Sequence, residues 1–365
     1  MKTALVAAFA VIIALPLAAN VAGRDGADPG AENRQLAAFP APASPAQFGA
    51  GLTHWFDDHF GFRSTLIKGY GGERLFGLGV SPTSAVIKGD DGWFFYADDN
   101  AIDDYASTSL MTDAAIANWR AALVDANRWL QRKGIAYVFT IAPDKHAVYP
   151  EMMPASIVRV NALSRTDQLF TALQDTALAV DVRPALADAK ARERVYQKTD
   201  THWNDRGAFA AYTLIIGAAH ARLPAVPPPL SRDDFMAASR DVISGDLAGM
   251  MGLKRVLREE DLVLVPKISK RAQVVEPAGA APTAEEGRLV TEIPGSTLPR
   301  AVIFRDSFVS RLVPFLSEHF SRAVYLWQND FDADDVEKEN PAIVIQEIVG
   351  RHLYGFIPSP ELIPR

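Results

Sequence analysis

The chain of 365 residues contains no cysteine. That excludes disulfides, thiolate nucleophiles and cysteine-ligated zinc. It also lacks a basic excess: 37 Lys and Arg stand against 44 Asp and Glu, a formal charge of -7. A protein that grips a polyanion through its backbone needs the opposite balance, so nucleic acid is excluded as a general partner. No glycine-rich nucleotide-binding loop and no pair of histidines at tight ligand spacing occurs. What remains is a composition 48% hydrophobic and 22% charged, ample for a large buried core.

The N-terminus carries the one long apolar run. After Met1-Lys2, about seventeen residues from Thr3 to Ala19 are uncharged, and a small-residue exit follows. Such a run, at the short edge of the roughly 17–25 residues that cross a bilayer, is either a cleaved leader or an uncleaved anchor over 1–23. Both place the remaining chain outside the cytoplasm, in the periplasm, with residues 3–19 as the anchor where it is retained. Residues 24–48 are rich in Ala, Pro and Gly and read as a stalk. One domain is expected over 49–365.

Within that domain, a helix capped by Thr112 or Asp113 shows an apolar face of Ile116, Trp119, Leu123 and Leu130, and Gly134 closes it. Near-continuous apolar strands are expected at 135–143, 178–182, 301–304, 323–327 and 342–349. Their alternation with helices predicts an α/β fold with a mainly parallel sheet covered on both faces. The Pro-rich stretch 225–298 reads as an insertion, with β structure at VLVPK and AQVVEP.

In such a sheet, reactive groups gather beyond the carboxyl ends of the strands. Three stretches fit: PDKHAVYPEMMP from Pro143, DTHWND from Asp200, and Arg305-Asp306-Ser307-Phe308. Ser307 sits where a strand turns into a helix, the place of an N-cap or of a nucleophile whose oxyanion would meet backbone amides. Serine is inert without a base. His202, with Asp200 two residues before it, is one candidate for that base, and His146 competes with it. Asp200 and His202, with Asp144 or His146, also form a conceivable nitrogen-and-oxygen metal set. Trp203 is either a wall of the site or core.

Several stretches, taken in order, resemble the SGNH-hydrolase-like O-acetyltransferases of alginate acetylation, the AlgJ/AlgX-like group: AENRQLAAFP, DDHFGFR with DGWFFYADD, APDKHAVYPEMMP, KTDTHWNDRGAFAAY and RDSFVSRLVPFLSEHF. The resemblance spans about 31–350. It implies a three-layer SGNH-like fold, circularly permuted so that Asp and His precede the serine. It places the catalytic roles on Asp200, His202 and Ser307, and needs no cofactor. Where ordinary members have Gly before Asp-Ser, this chain has Arg305, a departure that bears on the turn and on any oxyanion role there; Arg305 either faces an anionic sugar or packs over a loop at the surface, and Lys145 and Trp203 are further substrate-binding candidates. The implied acceptor is an exported polysaccharide, and the implied acetyl donor is delivered by a membrane-bound O-acyltransferase, in an export complex. A periplasmic acetylesterase with the same residues and a non-catalytic polysaccharide-binding scaffold subunit remain the alternatives.

Overall fold

The computed structural model describes residues 2–22, 36–42, 44–277, 287–356 and 358. The chain divides into two compact units: residues 1–88 with 242–259, and residues 89–241 with 260–365. This differs from the single domain expected over 49–365. The segment at 242–259 leaves the suspected insertion and folds with the N-terminal unit.

The first unit is mainly helical, with helices Lys2–Val21, Pro45–His59 and Arg63–Gly72. Lys2–Asn20 is long and apolar enough to cross a membrane. Leu5 and Phe9 on it are largely exposed. Most of the stalk expected over 24–48 lies outside the described residues, and its end from Pro45 is already helical.

The second unit is built on a seven-stranded sheet. Its strands are β1 (Ala136–Ala142), β2 (Ala179–Val180), β3 (Gln273–Glu276), β4 (Arg288–Glu292), β5 (Arg300–Arg305), β6 (Arg322–Trp327) and β7 (Ile343–Val349). The spatial order is β2-β1-β7-β5-β6-β4-β3. The first five strands run parallel, while β4 and β3 add an antiparallel edge from within the Pro-rich stretch. All seven residues of β7 are buried, as a central parallel strand requires.

Helix α1 (Asp113–Arg132) begins where the sequence indicates: the Thr112 side chain accepts from Ala115 N. Its Trp119, Leu123, Ala126 and Leu130 pack with Tyr137, Phe139 and Ile141 of β1 and with Val302, Phe304, Val344 and Ile348. Those β1 positions alternate, so they share one face of the sheet. Helix α2 (Asp205–Arg222) packs against β1 and buries Ala208, Phe209, Tyr212 and Ile215. A further difference concerns the segment after Ser307. The expected continuous helix is broken into a 3-10 turn at Ser307–Arg311, a short helix at Val313–Leu316 and a second turn at Ser317–His319. Pro314 has no N–H to donate, which suits it to the first turn of a new helix rather than the middle of a long one.

Candidate active site

Strand β7 lies between β1 and β5, and its carboxyl end ties their loops together. Gly350 N donates to Ala142 O at 2.9 Å. Arg351 N donates to Asp144 Oδ2 at 2.8 Å and its guanidinium to Asp144 Oδ1 at 2.6 Å. On the other side, Val349 N donates to Asp306 Oδ2 at 2.7 Å. Asp306 Oδ1 accepts from Phe308 N at 2.9 Å. Asp306 therefore caps the 3-10 turn and ties it to the end of β7. Ser307, half-buried, projects from that turn.

The loop carrying Asp200 and His202 reverses sharply. Gln197 N donates to His202 O, Tyr196 and Trp203 form an isolated bridge, and Asn204 N donates to Val195 O. Asn204, fully buried, then caps α2 by accepting from Arg206 N and Gly207 N. Gly207 is required here: a Cβ would lie 2.2 Å from Val195 O.

This turn aims His202 at Ser307. His202 Nε2 lies 2.7 Å from Ser307 Oγ, and Nδ1 lies 2.6 Å from Asp200 Oδ1. Asp200 Oδ1 also accepts from the His202 backbone N–H at 3.0 Å. Burial raises the Asp200 carboxyl, but the charge and hydrogen bonds of His202, helped by Arg311, outweigh it and hold the group well below the usual carboxylate range. An ionised Asp200 only accepts, so Nδ1 carries the proton, and Nε2 is left to accept from the serine hydroxyl. The arrangement can pull a proton from Ser307 as the oxygen attacks an electrophilic carbon.

The Phe308 amide is taken by Asp306 and is not aimed at an oxyanion. The Ser307 amide stands at the first position of the turn, where an N–H has no helical partner.

The three substrate-binding candidates are all buried and engaged inside the protein. Arg305 is fully buried; its guanidinium donates to Ser310 Oγ at 2.9 Å and to Asp306 O at 3.3 Å, and lies 4.5 Å over the Trp327 ring. It is not on the surface. Trp203 is 1% exposed and donates from Nε1 to Phe308 O at 3.0 Å, with the two rings edge to face at 5.1 Å. Lys145 is 3% exposed, and its ammonium donates to the carbonyls of Gln197, Lys198 and Asp200.

His146 is brought together with Asp104 and Asp144 instead, their ligand atoms within 4.8 Å of one another, beside a cavity of about 100 Å³. Arginines supply positive charge there: Arg351 on Asp144 at 2.6 Å and Arg165 beside Asp104 at 3.7 Å. Burial pushes His146 down to about 4, so it stays neutral.

Glu347 was not legible as a site residue. It lies in the core strand β7, 1% exposed, and its Oε2 accepts from Asp306 N at 3.2 Å. Burial first, and then the charge of Asp306, push its carboxyl well above the usual range. The one available signal was a charged residue in an otherwise apolar buried strand.

With this geometry established, the comparisons with known proteins are specific. Residues 86–330 match the family described as SGNH hydrolase-like domain, acetyltransferase AlgX. The chain is 25% identical over 286 residues to the probable alginate O-acetylase AlgJ of Pseudomonas aeruginosa, covering 75% of this chain and 69% of that one. Its fold is similar to that of PatB1 of Bacillus cereus, solved with a sulfonyl adduct (TM-score 0.52, 14% identity, 77% of this chain and all of that one). It is also similar to a DHHW family protein of Eubacterium siraeum (TM-score 0.51, 17% identity, 76% and 97%).

Proposed function

The chain belongs to the SGNH hydrolase-like acetyltransferases of the AlgX family, and on that premise we propose that it moves acetyl groups onto hydroxyls of an exported polysaccharide of the alginate kind through Ser307, His202 and Asp200. The observation that carries the reading is the unbroken relay from Asp200 through His202 to Ser307, at 2.6 and 2.7 Å.

In the first half-reaction, Ser307 Oγ attacks the donor's acetyl carbonyl carbon and its proton passes to His202 Nε2. The imidazolium is stabilised by ionised Asp200 at Nδ1. The carbonyl oxygen takes up negative charge, and the Ser307 amide donates to it. The tetrahedral adduct then collapses: the bond to the donor's leaving oxygen breaks, and His202 returns the proton to that oxygen. In the second half, His202 removes a proton from a sugar hydroxyl, which attacks the acetyl-serine. Collapse re-forms the Ser307 hydroxyl with the proton held by His202.

The relative named a probable alginate O-acetylase supports the choice of a uronate-type polymer as acceptor. The N-terminal helix, long and apolar enough for a membrane, supports export or anchoring on the outer side of the inner membrane. There a membrane-bound O-acyltransferase supplies the acetyl group and an export complex presents the polymer. Residues 1–23 act as leader or anchor.

The test uses protein lacking residues 1–23, a chromogenic acetyl ester, and an oligosaccharide acceptor present or absent. Acetylated sugar from the wild type and none from Ser307→Ala supports the reading. Ester hydrolysis unaffected by any sugar makes the protein an esterase, and equal turnover by Ser307→Ala removes the assignment altogether.

A further inference from the structure

We propose that Lys145 is a positioning residue for the reaction: its buried ammonium holds the loop that aims Asp200 at His202. The inference rests on the triad reading above.

Lys145 opens the short helix Lys145–Val148 just beyond the carboxyl end of β1. The backbone behind it is fixed on two sides. Arg351 holds Asp144 through both carboxylate oxygens, and the Tyr196 hydroxyl donates to Pro143 O. From this base, Nζ reaches Gln197 O at 3.0 Å, Lys198 O at 3.0 Å and Asp200 O at 2.7 Å. The faces of Phe95 and Trp93 close the cage at 5.4 and 5.7 Å. An ammonium has three donors on one centre, and three carbonyls meet it.

The geometry explains why a cation is needed. A chain reversal that turns three carbonyl oxygens toward one point sets their negative ends against each other, away from water. A single central cation converts that repulsion into three charge-assisted hydrogen bonds. Arginine does not substitute, because its flat fork does not bring three donors to one point. The shortest of the three bonds goes to Asp200 itself, two residues from His202. Fixing the Asp200 carbonyl fixes the peptide from which its carboxylate reaches Nδ1. Lys145, 3% exposed, has no surface with which to touch a sugar or an acetyl donor. Its effect therefore passes through Asp200.

The absence of cysteine permits a clean test on the full-length chain in detergent. Lys145→Cys introduces the chain's sole thiol. Alkylation with 2-bromoethylamine in denaturant, followed by refolding, rebuilds an ammonium of nearly the same reach even where the unalkylated variant folds poorly. With the chromogenic acetyl ester, the unalkylated variant is expected to lose about 100-fold in kcat with KM nearly unchanged, the scale of a misplaced catalytic group. The pKa on the acid limb of its rate profile falls, because an imidazolium without a well-placed carboxylate is less stable. Aminoethylation restores at least 10-fold. In an Asp200→Ala background, the Lys145 change costs less than 3-fold more, because the group it positions is gone.

A merely structural or substrate-binding lysine gives other results: losses that multiply across the two sites, or a raised KM with kcat intact. Either overturns the proposal, as does full activity before alkylation while Ser307→Ala is dead. Activity retained by Ser307→Ala instead brings down the triad reading, and this inference with it.

Discussion

Trp203→Phe separates a structural tryptophan from a substrate-contacting one. The indole is 1% exposed, and its N–H donates to Phe308 O at 3.0 Å, the carbonyl of the residue that follows Ser307. Its ring meets Phe308 edge to face at 5.1 Å and Tyr196 at 6.3 Å. Phenylalanine keeps most of the apolar contact but removes the donor and leaves a void where the second ring stood. A buried neutral hydrogen bond contributes about 1 kcal/mol net, and the void adds a similar amount, so the variant is expected to lose about 2 kcal/mol of stability. Because the lost bond anchors the turn beneath the nucleophile, kcat on the acetyl ester falls about 10-fold, in line with the loss expected from a loosened catalytic geometry. KM for an oligosaccharide acceptor stays unchanged. Urea denaturation and steady-state kinetics measure the three quantities on one preparation. Unchanged stability together with a raised acceptor KM refutes the reasoning and makes Trp203 a wall of the sugar site.

Other consequences concern the buried ionisable groups. Glu347 carries a proton in the fold over a pH range where the unfolded chain has released it, so stability falls as pH rises from the ordinary carboxylate range toward its raised pKa. Glu347→Gln removes that loss: denaturation midpoints should match wild type near pH 4 and exceed it near pH 8. Asp104, raised mainly by burial from 3.8 to about 6, contributes the same falling slope between those values. His146 is lowered mainly by burial from 6.5 to about 4, so in that window the unfolded chain holds the extra proton and stability rises with pH. The two slopes cancel between pH 4 and 6. Asp104→Asn should therefore leave a stability that rises across the window, and His146→Gln one that falls, each by up to about 3 kcal/mol. Denaturant titrations at several pH values show whether the slopes have these signs.

The parallel core was legible because its strands are apolar on both faces and end at turn residues. The capped helix after Thr112 was legible for the same kind of local reason. Asp200, His202 and Ser307 stood out because two short motifs fall beyond strand ends, although contact across 105 residues is a property of the sheet order and not of either motif. The division into two units left no mark on the sequence, since 242–259 lacks a compositional border. The partners of Arg305 and Lys145 were not legible, for one physical reason. A basic residue beside a motif invites an anionic ligand, yet here each cation is buried against partners within the protein: Ser310 and the Trp327 ring for Arg305, three carbonyls for Lys145. The Asp306 carboxylate is likewise spent within the fold, on the amides of Phe308 and Val349.

The central claim is that Ser307 becomes the acetyl carrier with His202 as its base. Brief mixing of the protein with an activated acetyl ester at neutral pH, followed by an acid quench, traps the acetyl-enzyme, because a protonated His202 cannot activate water or sugar. Peptide mass spectrometry then locates the label. The account predicts one acetyl group on the peptide holding Ser307, lost on adding acceptor at neutral pH, and strongly diminished labelling in His202→Ala. An acetyl group on another residue, or turnover that continues in Ser307→Ala, contradicts it.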